Sequence, residues 1–489
     1  MNQKTPNPVA FFCSFVFLTM SIVQLIPLII SHYETDSSDQ MIFSLLSSFC
    51  MLLGYIGVKN YHQTFTKIST RQLYLITLFS WLLLGLIGSL PFIFILPDLP
   101  LCDALFESFS GITTTGSTIL TGIEKLPPSL LIWRGLIQWV GGIGIVVLSI
   151  AVLPHLRVGG MKLFATESSD WSNKTHPRAN KMIVSILLIY LALTLVCALI
   201  YFIAGMGAFD ALVHAMTTVS TGGFANYDTS FGFFANNYLL MWTASIFMIF
   251  GALPFVFYVN MLHQNTRRNV VDSQIKGFII FLIVAILTLS IERLFRSDLP
   301  LSEVLTHVSF NVISVVTTTG FASTDYTLWG QFAIMFFFYL MFVGGCSGST
   351  SGSVKIFRFQ IAFLMLNNQL KRMSHPNGTY VLKYNGQLVN DDIIRSIVAF
   401  SMMFALTIAA IALILGLLGL DFTTSLSAAA TAVTNVGPGL GEIIGPAGNF
   451  QSLPSAAKLL LCAGMLIGRL EVMTVFVILT PSIWSRWSR

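Results

Sequence analysis

The chain has 489 residues, of which 55% are hydrophobic and only 10% are charged, with a formal net charge of +5 at pH 7. A soluble domain carries about 25% charged residues, so this composition excludes a soluble fold and leaves the lipid bilayer as the solvent. Apolar segments of about 20 residues, the length that crosses a bilayer, recur from Val9 to Trp484. The sequence predicts an all-α polytopic membrane protein, surrounded by membrane lipid and with no nucleic acid as a partner.

Ten segments are predicted to cross the membrane. In chain order they are 9–30, 40–58, 72–96, 131–153, 181–205, 238–260, 274–293, 331–363, 393–419 and 456–484. The first is longer than the apolar region of a cleavable signal peptide, about 7–15 residues, and is predicted to be retained. An even number of crossings places both termini on one side of the membrane.

The distribution of charge orients these crossings. If both termini are cytoplasmic, all but six of the 26 Lys and Arg residues face the cytoplasm, as the positive-inside rule requires. The six are Lys125, Arg134, Arg293, Arg296, Lys458 and Arg469. We predict a multi-pass protein of the cell inner membrane. Most acids, among them Asp103 and Glu107, fall on the outer side, either because acids are simply left over where bases are excluded or because they form a mouth that concentrates cations.

A repeat lies in the outer connections after 72–96, 181–205, 274–293 and 393–419. Each connection contains a short apolar stretch and then a Thr/Ser-rich bend with glycine. The bends read GITTTGST, TVSTGGFA, VVTTTGFA and AVTNVGPG, starting at residues 111, 218, 315 and 432. Ten helical residues rise about 15 Å, half of the hydrocarbon thickness, so each stretch can only enter the membrane and return. Non-helical backbone at that depth must be buried in protein or line water, and four such bends are predicted to line a common pore.

The composition of the bends suits an alkali cation. A ring of backbone carbonyls can replace the water around such an ion, glycine permits the φ values that turn successive carbonyls towards one axis, and hydroxyls can satisfy freed backbone groups. Carboxylate pairs, which suit a divalent ion better, are absent from the bends. The predicted filter residues are Thr114, Thr115, Gly116, Thr221, Gly222, Gly223, Thr318, Thr319, Gly320, Asn435, Val436 and Gly437.

The segment GGCSGSTSGSVK, residues 344–355, interrupts the crossing 331–363. Its glycines and small polar side chains cannot maintain a helix in the membrane, so we expect it to unwind below the filter. A close contact between small-residue helices is one interpretation. We favour an intramembrane gate loop, because non-helical backbone at that depth needs a cavity or protein cover. The predicted gate residues are Gly344, Gly345, Cys346, Ser347, Gly348, Ser349 and Thr350, together with Arg469.

Two arginines within predicted crossings receive different interpretations. Arg469 lies about 13 residues, or roughly 20 Å, into the last crossing, where a buried guanidinium normally marks function. A pair with Glu471 is disfavoured because residues two apart do not share a helix face. We predict that Arg469 faces the pore and braces the gate loop or the filter carbonyls. Arg134, near the outer start of its helix, is predicted to be a snorkelling interfacial cation.

These residues resemble the Trk/Ktr/HKT superfamily of potassium transporters, and most closely the TrkH/TrkG-type membrane subunit of bacterial Trk systems. The resemblance rests on the four bends and on GLIQWVGGIGIVVLSIAVLP (135–154), FVGGCSGSTSGSVKI (342–356), NVGPGLG (435–441) and IGRLEVMTVFVILTP (467–481). It implies four pseudo-symmetric helix–pore-loop–helix repeats around a central pore, plus two extra N-terminal transmembrane helices. The implied divisions are 1–60 for the extra helices, 72–153, 181–260, 274–363 with gate loop 344–353, and 393–484 for the repeats, and 364–392 for a cytoplasmic loop.

The resemblance also implies the ion and the partners. K⁺ is the expected transported ion, and no organic cofactor is expected in this chain. The expected K⁺ ligands are Thr115, Gly116, Gly222, Gly223, Thr319, Gly320, Val436 and Gly437. A homodimer and a cytoplasmic nucleotide-binding Trk regulatory subunit are the expected partners. Some plant relatives that prefer Na⁺ have serine at the first filter glycine, so Gly116 favours K⁺. Relatives often carry glycines where this chain has Ser351 and Ser353, so we expect a stiffer gate loop.

Gated K⁺ uptake is therefore the leading hypothesis, and Na⁺- or H⁺-coupled K⁺ symport is the alternative. Glu471 is the one carboxylate that we expect at a depth suited to proton coupling, which weighs mildly against H⁺. An enzyme would need a convergent nucleophile and base or a metal cluster, and the sequence contains no such pattern. A scaffold would not need four polar bends inside the membrane. The cytoplasmic loop contains VLKYNGQLV, which predicts a hairpin around Asn385-Gly386, and we expect this hairpin to dock a partner.

Overall fold

The structure is a computed structural model that describes residues 7–34, 37–61, 68–151, 177–262 and 272–481. The predicted helix ends at 152–153 and 482–484, and both chain termini, lie outside the described residues. Within those residues the protein is mostly helical, with 17 α-helices. They are α1 (Pro8–Ser31), α2 (Ser37–Tyr61), α3 (Thr70–Ile95), α4 (Leu101–Ile112), α5 (Pro128–Ala151), α6 (Pro177–Ile203), α7 (Ala208–Val219), α8 (Tyr238–Ala252), α9 (Phe255–Leu262), α10 (Ser273–Arg296), α11 (Leu301–Val316), α12 (Gln331–Leu340), α13 (Ile356–Ser374), α14 (Asp391–Leu417), α15 (Phe422–Thr434), α16 (Ser455–Arg469) and α17 (Val472–Leu479).

Helices lie at all ten predicted crossings, but three of the crossings are not single helices. Of the described helices, seven are long and apolar enough to span a bilayer, and two bent pairs bring the number to nine. The seven are α1, α2, α3, α5, α6, α10 and α14. The predicted crossing 331–363 is broken between α12 and α13. The all-α polytopic fold is confirmed, while the divisions drawn between its repeats stay predictions.

The prediction of one straight helix is wrong at 238–260 and at 456–484. Helices α8 and α9 meet at 89°, and α16 and α17 meet at 108°. At the first bend Pro254 has no N–H to donate, and the Phe255 N–H after it bonds to the carbonyl of Gly348 at 3.0 Å. At the second bend Glu471 has φ +64. The sequence signals the first bend through its proline and gives no signal for the second.

Four short helices, α4, α7, α11 and α15, stand in the four outer connections between spanning helices. They have 12, 12, 16 and 13 residues, so each rises about 18–24 Å and cannot cross the bilayer alone. Asp421 caps α15, and hydrogen bonds from the Thr424 hydroxyl and amide lower the pKa of its carboxyl. The carboxyl-terminal half of each short helix is buried, which places the four bends inside the protein.

Two pairs of very short strands complete the described structure. Strands β1 (Val343–Gly344) and β2 (Val354–Lys355) pair in parallel and hold the two ends of the broken crossing together. Strands β3 (Lys383–Tyr384) and β4 (Gln387–Leu388) form the predicted antiparallel hairpin. Its central residues Asn385 and Gly386 have φ +49 and +79, as a tight hairpin turn requires.

Candidate functional site

Each short helix ends in a bend with the same backbone conformation. The filter glycines, defined here as Gly116, Gly223, Gly320 and Gly437, have φ of +84, +77, +81 and +111. The residue two places before each glycine is also left-handed. These residues are Thr114, Thr221, Thr318 and Asn435, with φ of +52, +50, +58 and +55. A β-branched residue in this region is strained and persists only where its surroundings determine it. The sequence predicted a glycine in each bend, but it gave no sign that the threonines two places earlier would be strained.

A shared hydrogen bond closes each bend. The residue six places before the filter glycine, always Ser or Thr, offers its carbonyl to the N–H of the residue just before the glycine. The pairs are Ser110 with Thr115, Thr217 with Gly222, Ser314 with Thr319, and Thr431 with Val436, at 2.9, 2.9, 2.8 and 3.2 Å. Such bonds from beyond a helix end satisfy carbonyls that the helix itself leaves free. The four bends therefore have one geometry, built by different sequences.

The four bends meet in a closed ring. A Cβ built on Gly116 would lie 2.2 Å from the carbonyl oxygen of Gly222, and one built on Gly223 would lie 1.9 Å from that of Thr319. A Cβ on Gly320 would lie 2.1 Å from the oxygen of Val436, and one on Gly437 would lie 2.7 Å from that of Thr115. Each glycine thus faces the carbonyl that precedes the next filter glycine, and the fourth faces the first. Only glycine permits this approach.

Side chains strengthen the ring where the last repeat meets the first. The Asn435 amide donates to the Thr115 hydroxyl at 2.9 Å and to the Met465 carbonyl at 2.9 Å. The Ser117 hydroxyl donates to the carbonyl of Gly437 at 2.6 Å. All four filter glycines also line one cleft. The structure therefore brings together the twelve predicted filter residues, which lie in the four bends.

The gate loop, residues 344–353, lies against these bends. The Thr350 hydroxyl contacts the Thr221 hydroxyl at 3.1 Å and donates to the Val219 carbonyl at 3.2 Å. The Gly352 N–H donates to the Thr318 hydroxyl at 2.7 Å, and the Ser353 N–H donates to the Thr434 carbonyl at 2.8 Å. The loop thus touches three of the four bends. Gly345 to Ser353 are non-helical between the paired strands, as the small-residue composition predicts.

Ser351 and Ser353, the two serines expected to stiffen the gate loop, add hydrogen bonds to it. The Ser351 hydroxyl accepts from the Gly345 N–H at 2.9 Å and lies 3.3 Å from the Thr318 hydroxyl. The Ser353 hydroxyl donates to the Met341 carbonyl at 2.8 Å, although Ser353 has φ +55. Glycine could supply neither hydroxyl. These contacts support the expectation of a stiff loop.

Arg469 is buried and contacts the gate loop. Its Nη1 donates to the Thr350 carbonyl at 2.8 Å and its Nη2 to the Gly141 carbonyl at 3.4 Å. Glu471 pairs instead with Arg358, at 2.7 Å, and the Arg358 guanidinium lies 3.7 Å from the centre of the Phe400 ring. Sequence reasoning missed Arg358, because its partner lies more than a hundred residues away along the chain.

The interpretation of Arg134 as a snorkelling cation is wrong. Arg134 is 1% exposed and forms an ion pair with Glu107 at 2.9 Å. It also donates to the Ala225 carbonyl at 2.7 Å and lies 4.3 Å from the centre of the Phe224 ring. One helical turn later, the Gln138 amide donates to the Gly222 carbonyl at 2.6 Å and accepts from the Phe224 N–H at 3.0 Å. Helix α5 therefore holds the bend of the second repeat with two polar side chains.

Some outer acids belong to buried ion pairs. Glu107 has no exposed surface, and Asp103 pairs with Lys458 at 2.8 Å. Neither carboxylate is available at an open mouth. Asp228, in contrast, lines the cleft beside the filter glycines and accepts from the N–H groups of Gly122 and Ile123 at 2.8 and 3.0 Å.

The arrangement favours a cation. The carboxyl ends of four short helices, which carry partial negative charge, converge on a ring of backbone oxygens. Carbonyl oxygens are suited to a weakly hydrated monovalent ion. Each filter glycine lies against the carbonyl oxygen of the next repeat. Arg469 adds a positive charge next to the gate loop, at the inner side of the ring.

Comparisons with known proteins point to one family. A family model described as TrkH, a cation transport protein, matches residues 40–486. The chain is 51% identical over 469 residues to the Trk system potassium uptake protein TrkI of Halomonas elongata, covering 96% of this chain and 95% of that protein. It is 35% identical over 426 residues to the Trk system potassium uptake protein TrkH of Escherichia coli K12, covering 86% and 87% of the two chains. Its fold is similar to the crystal structure of the potassium transporter TrkH from Vibrio parahaemolyticus, with a TM-score of 0.88 and 29% identity over 98% of this chain and 100% of that one.

Proposed function

The chain belongs to the TrkH family of cation transport proteins, and on that premise we propose that it takes up K⁺ across the bacterial inner membrane through a selectivity filter of backbone carbonyls. The observation that carries this proposal is the closed ring in which each filter glycine faces a carbonyl oxygen of the next bend. A Cβ built on each glycine would lie 1.9–2.7 Å from that oxygen. A dehydrated monovalent ion needs several oxygens at once, and the ring supplies them without a full charge inside the membrane. Uptake is then driven inward by the membrane potential.

The expected K⁺ ligands are the filter glycines and the residues just before them. Each of those preceding residues offers the carbonyl that the neighbouring glycine faces. The hydrogen bond from its own N–H to the residue five places earlier holds that carbonyl in position. Glycine at position 116 is part of this proposal, because a serine side chain there would meet the Gly222 oxygen and displace it from the ring.

We propose that residues 344–353 and Arg469 gate this pathway. The loop lies in contact with Val219, Thr221 and Thr318, so an ion leaving the filter meets it directly. The Arg469 guanidinium bonds to the loop at Thr350, and its charge opposes a cation at the same place. Opening would break these bonds and move the loop aside.

The assembly and its orientation are part of the proposal. Both termini are cytoplasmic, two copies form a homodimer, and a cytoplasmic nucleotide-binding Trk regulatory subunit controls the gate. The positive-inside distribution supports the orientation. The hairpin, which we expected to dock a partner, is itself attached to α10. Asn385 bonds to Asp272 and to the N–H of Ser273 at the start of that helix, at 2.8 and 3.0 Å. A partner that moves the hairpin would therefore move α10.

Coupled symport receives no support from the titratable groups near the pathway. Glu471, the carboxylate considered for proton coupling, pairs with Arg358, and Glu107 pairs with Arg134. Both carboxylates are buried and are already engaged by an arginine.

The test is ion flux into proteoliposomes that contain the purified protein. Uptake of K⁺, Rb⁺ and Na⁺ is measured with and without an imposed inside-negative potential. We expect K⁺ and Rb⁺ uptake to exceed Na⁺ uptake and to rise with the potential. Na⁺ uptake as fast as that of K⁺ would contradict the proposed filter, and K⁺ uptake that needs a Na⁺ or H⁺ gradient would favour symport.

A further inference from the structure

A second set of side chains, behind the filter, recurs in the repeats. In the first three repeats the residue nine places before the filter glycine accepts a hydrogen bond from the N–H three places after that glycine. These bonds are Ile119 N–H to Glu107 Oε2 at 3.1 Å, Asn226 N–H to His214 Nε2 at 3.5 Å, and Ser323 N–H to Asn311 Oδ1 at 3.1 Å. In the fourth repeat the equivalent residue is Ala428, and the adjacent Ser427 hydroxyl accepts from the Leu440 N–H at 3.1 Å.

We propose that Glu107, His214, Asn311 and Ser427, called here the filter braces, are positioning residues that set K⁺ over Na⁺ discrimination. This inference rests on the proposed function. Each brace holds the chain after the filter glycine, while the carbonyl six places before the glycine holds the chain in front of it. The carbonyls between these two points are therefore tied at both ends. A filter whose oxygens cannot close around the smaller of two monovalent ions favours the larger one, so rigidity behind the filter affects discrimination.

The four braces are chemically different side chains, and each provides a hydrogen-bond acceptor. An acid, an imidazole and an amide occupy the equivalent position in the first three repeats, and the hydroxyl of the fourth comes from the adjacent residue; all four are buried, with exposures of 0, 0, 0 and 2%. Such different side chains, each accepting from the N–H three places after the filter glycine, argue that this place is used for its hydrogen-bond acceptor. A buried N–H that loses its acceptor is destabilised, so the segment after the filter glycine would move to find another.

Each brace is itself oriented by further bonds. Glu107 pairs with Arg134 at 2.9 Å. His214 Nδ1 lies 2.8 Å from the Asp210 carbonyl, a contact that requires Nδ1 to be the protonated nitrogen and leaves Nε2 as the acceptor. The Asn311 amide donates to the His307 carbonyl at 2.9 Å, and the Ser427 hydroxyl donates to the Thr423 carbonyl at 2.7 Å. In every repeat the acceptor is thus aimed at the segment that follows the filter glycine.

Ser427 provides the cleanest test, because Ser427→Ala removes the acceptor and only one atom. Ser425→Ala is the matched control, since Ser425 is buried in the same helix and its hydroxyl bonds to the Leu420 carbonyl, away from the filter. K⁺ and Na⁺ uptake are measured in proteoliposomes, with thermal unfolding of each variant as the check of folding. We expect Ser427→Ala to lower the K⁺/Na⁺ uptake ratio about tenfold and Ser425→Ala to leave it within about twofold of the wild type.

His214 gives an independent test with a rescue. His214→Leu places an apolar side chain of similar size among the surrounding rings of Tyr227, Phe231 and Phe321. Leucine has no acceptor, so the K⁺/Na⁺ uptake ratio should fall about tenfold. His214→Asn transplants the acceptor used in the third repeat and should recover most of that loss. A wild-type protein that admits both ions equally would overturn the proposed function together with this inference. A selective wild type whose Ser427→Ala and His214→Leu variants stay as selective would overturn the inference alone.

Discussion

Gly223→Ala tests the contact by which one repeat faces the next. A Cβ at this position would lie 1.9 Å from the Thr319 carbonyl oxygen, and real Cβ atoms essentially never approach within 3.0 Å, so the oxygen must retreat by about 1.1 Å. A binding site has to be held within about 0.5 Å of its working geometry, so the displaced oxygen no longer serves the ion. A bond to a charged group contributes roughly 1.5–3 kcal/mol, which corresponds to roughly a 10- to 150-fold loss of K⁺ affinity.

Gly122→Ala separates this contact from backbone strain. Gly122 has φ +66, close to the φ +77 of Gly223, but nothing lies within 4 Å of a Cβ built on it. Both substitutions place alanine in the left-handed region, at a cost of roughly 1–2 kcal/mol. The two variants therefore share this backbone strain, and only Gly223→Ala adds the clash with the Thr319 oxygen that disturbs the ring.

The assay is the initial rate of K⁺ and Na⁺ uptake into proteoliposomes at a fixed inside-negative potential. We expect Gly223→Ala to reduce the K⁺/Na⁺ ratio at least about tenfold and Gly122→Ala to leave it near the wild-type value. Thermal unfolding in detergent checks that the two variants are equally folded. The reasoning is refuted if Gly223→Ala keeps the wild-type ratio, or if Gly122→Ala loses as much selectivity.

Three further predictions concern the gate and the break between α16 and α17. Ser351→Gly removes a hydroxyl that holds the gate loop, so basal K⁺ uptake without a regulatory partner should rise; a fall would contradict a loop stiffened by serine. Arg469→Ala removes the bond to the Thr350 carbonyl and should change the K⁺ uptake rate, and an unchanged rate would remove Arg469 from the gate. Glu471→Gln leaves the Arg358 charge buried without its carboxylate, which costs about 3–5 kcal/mol, so the unfolding midpoint in detergent should fall; a midpoint equal to that of the wild type would show that the pair is not stabilising.

Much of the fold could be read from local sequence. The apolar runs predicted the spanning helices, because the length of a crossing is set by the thickness of the bilayer. The four Thr/Ser-rich bends predicted four returns inside the membrane, each with a glycine in its bend. Asn385-Gly386 predicted a hairpin, because its two left-handed positions favour those residues. Each of these features depends on residues that are close together in the chain.

The failures concern contacts between distant residues. The partner of Arg134 is Glu107, on a different helix, and nothing near Arg134 in the sequence distinguishes a buried pair from a snorkelling cation. The bend at Glu471 likewise has no local signal; its carboxylate is held by Arg358, at the start of another helix. Pro254 was a visible signal whose effect depends on the Gly348 carbonyl that receives the next N–H.

The sequence by itself determined that the chain lies in a membrane. It also determined that four of its outer connections contain a short stretch followed by a bend, and that each bend has a glycine. Only the tertiary structure decided that these glycines meet, and that each faces the carbonyl of the next repeat. The physical reason is that backbone conformation is a local preference of one residue and its neighbours. The approach of a glycine to an oxygen about a hundred residues away is decided by how all the helices pack.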